Sequence, residues 1–195
     1  PILFPVVTII IMEVFISKMR KLKGIRKMIL IEEAWKAIAK EGMAEYIKYL
    51  FKTVRKFYGE AIVVTQEVED IISSPIVKQA IINNSDCKIL LDQSKYQNKF
   101  DQIQELLGLT EKEKALVLSI NKSNDPKRKY KEVFISLGGV QSKVYATEVS
   151  LEEYLAYTTE ESEKIKVQEY TNRWGGDRRK GIAELANDIR LGKAA

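Results

Sequence analysis

Two pairs of polar residues interrupt apolar runs of strand length in this 195-residue chain. Ile29-Leu30-Ile31 runs straight into the carboxylates of Glu32 and Glu33, and Ile62-Val63-Val64 into the hydroxyl of Thr65 and the amide of Gln66. A carboxylate at the end of a buried strand can hold part of the shell of a magnesium ion. A second one beside it can orient and deprotonate an attacking water, and a neutral amide at the tip of the next strand can sense a γ-phosphate or help place that water. Phosphoryl transfer from a nucleotide asks for these roles. Successive strand residues point to opposite faces, so the two acids divide the work: Glu32 is the metal candidate and Glu33 the water-activating base. A plainer reading of the acid pair is that it favours a helix N-terminus through the helix dipole. For Thr65 and Gln66 the plainer reading is that they satisfy loop backbone groups.

The elements that must position these groups can be read from spacing. Lys27–Ile31 is a strand, apolar without alternation, as when both faces are buried. From Ala34 to about Tyr58, Trp35, Ala39, Met43, Ile47, Leu50, Val54 and Phe57 recur at three- and four-residue steps, which predicts a helix. Ala61–Val64 is a second strand. A helix between two apolar strands has the length of a parallel crossover, which brings both strand ends to the edge where open α/β sheets bind ligands. A third short strand is expected at Cys87–Leu91, and a helix from Tyr96 to Leu107 with Gly108 as its stop. Thr110-Glu111-Lys112-Glu113 has the pattern of a capping box that starts another helix. Val133, Ile135 and Leu137 alternate before Gly138-Gly139, and Val144-Tyr145-Ala146 returns, which predicts a hairpin. Capping boxes at Ser150–Glu153 and Thr158–Glu161 predict two more helices. Gly175-Gly176 breaks the second, and Asp177 caps a last one with the stripe Ile182, Leu185, Ala186, Ile189.

Composition narrows the field. The chain is 45% apolar and 30% charged, ordinary for a globular protein. Residues 1–60 carry twelve Lys/Arg against six Asp/Glu, while the remainder is close to neutral, so the basic end could meet phosphates or anionic lipid heads. With no His and one cysteine, Cys87, a zinc site and an internal disulfide are excluded; Cys87 is expected as a small buried residue. Residues 1–16 are strongly apolar but interrupted by Glu13 and too short to span a bilayer. They read as a buried element of a larger fold, and a start at Pro1 rather than Met suggests part of a longer protein. No Gly-x-x-x-x-Gly-Lys-Ser/Thr occurs, so a phosphate cradle must come from elsewhere or the chain is not an NTPase. Residues 121–131 form a cationic loop whose Lys127, Arg128, Lys129 and Lys131 could reach a nucleotide in a neighbouring subunit or DNA phosphates.

Glu32-Glu33-Ala34-Trp35 resembles the Asp-Glu-Ala-Trp Walker B motif of conjugation ATPases, the hexameric RecA-like motors of type IV secretion. Val64-Thr65-Gln66 resembles their Thr-Gln sensor. Asn84 with Lys88 and Ile89, and Gly108-Leu109-Thr110 followed by Glu113, fit features downstream of it. The chain is most similar to the carboxyl-terminal part of TraG-type ATPases of conjugative transposons, through Glu-Glu-Ala-Trp-Lys-Ala-Ile-Ala, Phe-Lys-Thr-Val-Arg-Lys and Val-Tyr-Ala-Thr-Glu-Val-Ser. The resemblance implies a RecA-like P-loop NTPase sheet fragment, mostly parallel with flanking helices, over residues 1–149. A β-hairpin belongs to it, and a helical extension follows over 150–195. It implies ATP and Mg2+ as cofactors, with Glu32 near magnesium, Glu33 as base and Gln66 as sensor. The implied partners are further subunits of a homo-oligomer, a hexamer in the full-length protein, and other proteins of the conjugation apparatus. Contact with DNA, and a peripheral place at the cytoplasmic face of the inner membrane, are implied as well.

Two positions depart from the family. Glu stands at the metal position where Asp is usual. Lys131 stands where an arginine commonly reaches the neighbour's nucleotide, with Arg128 three residues earlier, and Lys lacks the planar fork that clamps phosphate oxygens. Two competing readings remain: a DNA-translocating RecA-like motor of another type, and a non-catalytic interaction or scaffold domain in which the acid pair only starts a helix.

Overall fold

The computed structural model describes residues 3–32, 41–66, 82–122 and 130–193. The chain divides into two compact units, Pro1–Lys122 with Val133–Tyr145, and Ser123–Glu132 with Ala146–Ala195.

The first unit opens with helix α1 (Leu3–Lys21), whose last turn carries Lys18, Arg20 and Lys21, cations that favour the negative end of the helix dipole. Strand β1 (Lys27–Ile31) follows, then helix α2 (Glu41–Thr53), a 3-10 turn over Val54–Phe57, and strand β2 (Gly59–Val63). The two strands pair in parallel from Lys27↔Gly59 to Ile31↔Val63. Helices α1 and α2 bury their apolar residues against the odd-numbered positions of the strands. Met19, Leu50 and Val54 close on Ile29, and Ala44, Tyr46 and Ile47 gather with Met12, Ile16, Ile31 and Val63.

The opposite face differs from the sequence expectation of strands buried on both sides. Met28 and Leu30 are 64% and 59% exposed, because among the described residues the helices cover one face only. An unbroken apolar run conceals that alternation, since nothing polar marks the open side. Within this chain Val6, Val7, Ile10, Ile11, Val14 and Phe15 of α1 are exposed. Among the described residues, no helix is long and apolar enough to cross a membrane.

The same unit holds a three-stranded sheet in the order β3-β4-β5. It consists of β3 (Cys87–Leu90), β4 (Lys131–Leu137) and β5 (Gln141–Thr147). Strand β3 runs antiparallel to β4, from Cys87↔Leu137 to Leu90↔Phe134. A 3-10 turn (Ser94–Lys99) leads into α3 (Phe100–Leu107), and α4 (Glu111–Ser119) follows. Gly108 ends α3 at φ +65, a left-handed conformation that glycine adopts without a Cβ clash. Leu90, Phe100, Ile103, Leu109, Val117, Ile120 and Phe134 form the core here. Of the alternating residues in β4, Val133 is buried and Ile135 partly so. The completely buried position is Phe134, Ser136 on the same side is 4% exposed, and Leu137 is largely in solvent. Cys87 is exposed rather than buried, because it opens β3 at the rim of the sheet.

The second unit contains α5 (Leu151–Tyr157), α6 (Glu161–Arg173) and α7 (Arg178–Arg190). Leu155, Val167, Tyr170, Ile182, Leu185 and Ala186 form their common core, with Leu151 and Ile189 packed against it. Ser150 and Asp177 cap as their positions predict, accepting from the amides of Glu153 and Lys180, each at 3.1 Å. Thr158 does not cap α6 itself. Its hydroxyl accepts from the Glu160 amide at 3.2 Å and donates to Glu163, so the helix starts later, with Glu160 at its N-cap.

Helices α6 and α7 meet at Gly181, where a Cβ would lie 2.6 Å from the Thr171 nitrogen and 2.7 Å from its Cα. Both obstacles are backbone and cannot rotate away. Gly181→Ala is therefore expected to destabilise this unit by about 1–3 kcal/mol despite alanine's better helix propensity. A fall in the denaturant midpoint measures it, and an unchanged or raised midpoint contradicts the close crossing.

Candidate active site

The parallel register levels the carboxyl ends of β1 and β2. Ile31 stands beside Val63, and the Val64 amide donates to the Ile31 carbonyl at 2.9 Å, extending the ladder one step past the strands. Neighbouring strands lie about 4.8 Å apart, so Glu32 and the Thr65-Gln66 pair leave the sheet from one edge. Glu32 and Gln66 are exposed and Thr65 is half-buried. A ligand at the edge can reach both the carboxylate and the amide without opening the core. Strand alternation puts Glu32 on the side of Met28 and Leu30, away from the helix-covered side of Ile29 and Ile31.

Of the remaining residues expected at the site, Glu33 and Arg128 lie outside the described residues. Lys131 opens β4 with its side chain exposed, and its carbonyl accepts from the Thr147 hydroxyl at 2.8 Å. It belongs to the second unit. The structure thus brings Glu32 and Gln66 to one edge.

Among the described residues, no group of three or more Asp, Glu, Cys or His side chains could hold a metal ion. Magnesium does not need one: it keeps several waters and is bound through one or two carboxylates together with phosphate oxygens. A single exposed carboxylate at a strand end, Glu32, fits one such position. Most of the donor set for a nucleotide's phosphates has no counterpart in this sequence.

One polar network escaped the reading of spacing. Glu113 completes the predicted capping box, accepting from the Thr110 amide at 2.8 Å and the Thr110 hydroxyl at 3.0 Å. Its other carboxylate oxygen accepts from the Ser136 hydroxyl at 3.2 Å and from the Ser142 hydroxyl, tying the start of α4 to both strands of the hairpin. Burial pushes the Glu113 carboxyl up, but the Ser142 hydroxyl, the Thr110 amide and hydroxyl and the Ser136 hydroxyl outweigh it. The group is held below its ordinary value. The sequence did carry a signal, serines on either side of the Gly138-Gly139 turn, Ser136 among the apolar residues of β4 and Ser142 near the start of β5. A buried hydroxyl needs a partner, and the nearest acid in a capping box was a candidate.

The model of the TraG P-loop domain family matches residues 1–189. No curated protein matches the chain. Among solved structures, VirB4 of Thermoanaerobacter pseudethanolicus is similar, with a TM-score of 0.50 and 23% identity, over 68% of this chain and 34% of that one. The chain therefore spans about a third of the length of the structure it matches. At that identity the likeness speaks for the fold, the mixed α/β, RecA-like arrangement in which a parallel pair of strands carries helices. With a family model covering nearly all of its length, the chain belongs to the TraG P-loop domain family.

Proposed function

We propose that this chain is the Walker-B-bearing part of a motor ATPase of conjugation and type IV secretion, coupling ATP hydrolysis to conjugative DNA transfer or to assembly of the transfer apparatus. The observation that carries the reading is the register Ile31↔Val63, which places Glu32 and Gln66 on one sheet edge. In this reading Glu32 holds magnesium, directly or through a water. Glu33 takes the proton of the attacking water, and Gln66 senses the γ-phosphate and aligns that water. Magnesium, when bound with ATP, neutralises charge that builds on the phosphate oxygens. Lys131 or Arg128 extends toward the nucleotide of a neighbouring subunit in a homo-oligomer, a hexamer in the full-length protein. Residues 1–149 form the ATPase core and 150–195 its helical extension. The partners are other proteins of the conjugation apparatus, and DNA where it is the cargo, at the cytoplasmic face of the inner membrane.

The chain has no phosphate-binding loop of its own, so the 195 residues alone are expected to show no appreciable ATP turnover. A longer protein that joins this sequence to such a loop is expected to bind nucleotide in a magnesium-dependent way and to hydrolyse it. Magnesium-independent binding, or none, in the longer protein would sink the reading in favour of a scaffold domain. Turnover by the 195 residues alone would show that the cradle is not required.

A further inference from the structure

In the second unit, Val149, Glu153, Tyr154, Tyr157, Thr158, Thr159 and Glu160 line an open groove of about 410 Å³. Its floor is aromatic and accessible, with Tyr157 78% exposed and Tyr154 46%. From Glu148 to Glu163 the sequence has six Glu and no Lys or Arg. Several of these acids are occupied. Glu152 is held by Arg190 through two contacts of 2.6 Å, Glu161 pairs with Lys164, and Glu163 accepts from the hydroxyls of Tyr154 and Thr158. The two acids that line the groove, Glu153 and Glu160, have no ion pair among the described residues. A groove with tyrosine faces and uncompensated carboxylates suits long cationic side chains. Their methylene stems lie on the rings, and their charged heads meet the aromatic faces and carboxylates.

This chain carries a matching segment. Residues 122–131 hold five Lys/Arg against one Asp. We propose that the groove beside α5 takes the basic segment of a second copy of the chain, with Lys127 and Lys129 as the side chains it accepts. Groove and segment are different surfaces, so the contact is heterologous: each copy can offer one half and receive the other. Its strength comes from charge, so it weakens as salt screens the pair. The contact requires no nucleotide.

Two variants of the 195-residue chain test this by complementation. The first, Glu153→Lys with Glu160→Lys, reverses the groove and keeps the segment. The second, Lys127→Glu with Lys129→Glu, reverses the segment and keeps the groove, leaving Arg128 and Lys131 in place. Glu153 and Glu160 are exposed, and circular dichroism checks that each variant is folded. In sedimentation at low salt without nucleotide, the unaltered chain is expected to self-associate. Each variant alone is expected to do so at least about tenfold more weakly, a step of one decade in Kd. An equimolar mixture is expected to recover association, because the first variant's segment meets the second's groove. Three results would overturn the proposal: unaltered association in either variant, a mixture no stronger than its parts, or a monomeric unaltered chain at every concentration. The last is also the outcome if the segment fills its own groove.

Discussion

Under the proposed function, Glu33→Gln in a longer protein that joins this sequence to a phosphate-binding loop is expected to lower ATP turnover by about 10²–10⁴-fold, the range for loss of a general base, while magnesium-dependent nucleotide binding stays largely intact. The amide keeps the size and hydrogen-bonding reach of the carboxylate but cannot take the proton of the attacking water. A loss confined to kcat marks an interaction made only in the transition state. Glu32→Gln is expected to differ. It removes the carboxylate on the Met28–Leu30 side of β1, so its signature is a raised magnesium requirement for binding. The side assigned to Glu32 follows from the strand before it, where Met28 and Leu30 are exposed and Ile29 is buried. Single-turnover and equilibrium binding measurements on both variants decide the matter. If the two lose binding and turnover in the same proportion, the division of labour is wrong. If Glu33→Gln turns over normally, the acid pair has no catalytic part.

Glu113→Ala is expected to destabilise the first unit by about 2–4 kcal/mol. The substitution removes half of a capping box, and it leaves the Ser136 and Ser142 hydroxyls with only each other at 3.0 Å, so that one donor loses its acceptor, a cost of about 1–3 kcal/mol when it stays buried. At 8% exposure, water replaces the carboxylate poorly. Glu113→Gln keeps one acceptor oxygen and the shape of the side chain, so a smaller loss is expected.

The protein's pH dependence gives a second readout. The folded-state pKa of Glu113 is depressed, so its contribution is fully present above the unfolded pKa and disappears as pH falls through the lower, folded value. Acidifying the unaltered chain below the ordinary glutamate range should therefore lower its denaturant midpoint more than it lowers that of Glu113→Gln. Parallel midpoint-against-pH curves for the two would show that the carboxylate is not held by this network.

Elements whose stabilising partners lie within a few residues could be read from the sequence. Thr110 with Glu113, Asp177 with the Lys180 amide, Gly108 at a helix end and the stripe Ile182, Leu185, Ala186, Ile189 all depend on contacts inside one turn or one helix face. The acid pair and the Thr-Gln pair could be found for a similar reason, since each ends an apolar run abruptly. Three features required the assembled fold. Which face of β1 is buried was hidden because Met28, Ile29 and Leu30 are all apolar, and only the placement of α1 and α2 separates them. The inward face of β4 was hidden because Ser136 is polar, and its burial is compensated by Glu113, 23 positions earlier in the chain. The close crossing at Gly181 depends on Thr171 in another helix.

For the candidate site, the sequence by itself determined the residue types: two acids and an amide at strand ends, and a cationic loop. Tertiary structure decided which of them meet. The parallel register fixes Glu32 beside the strand that ends in Gln66, because backbone hydrogen bonds lock Ile31 to Val63 and Val64. Residue types follow from local sequence. Their juxtaposition across the crossover depends on a register that the burial of Ile29, Ile31, Ala61 and Val63 under α1 and α2 holds in place.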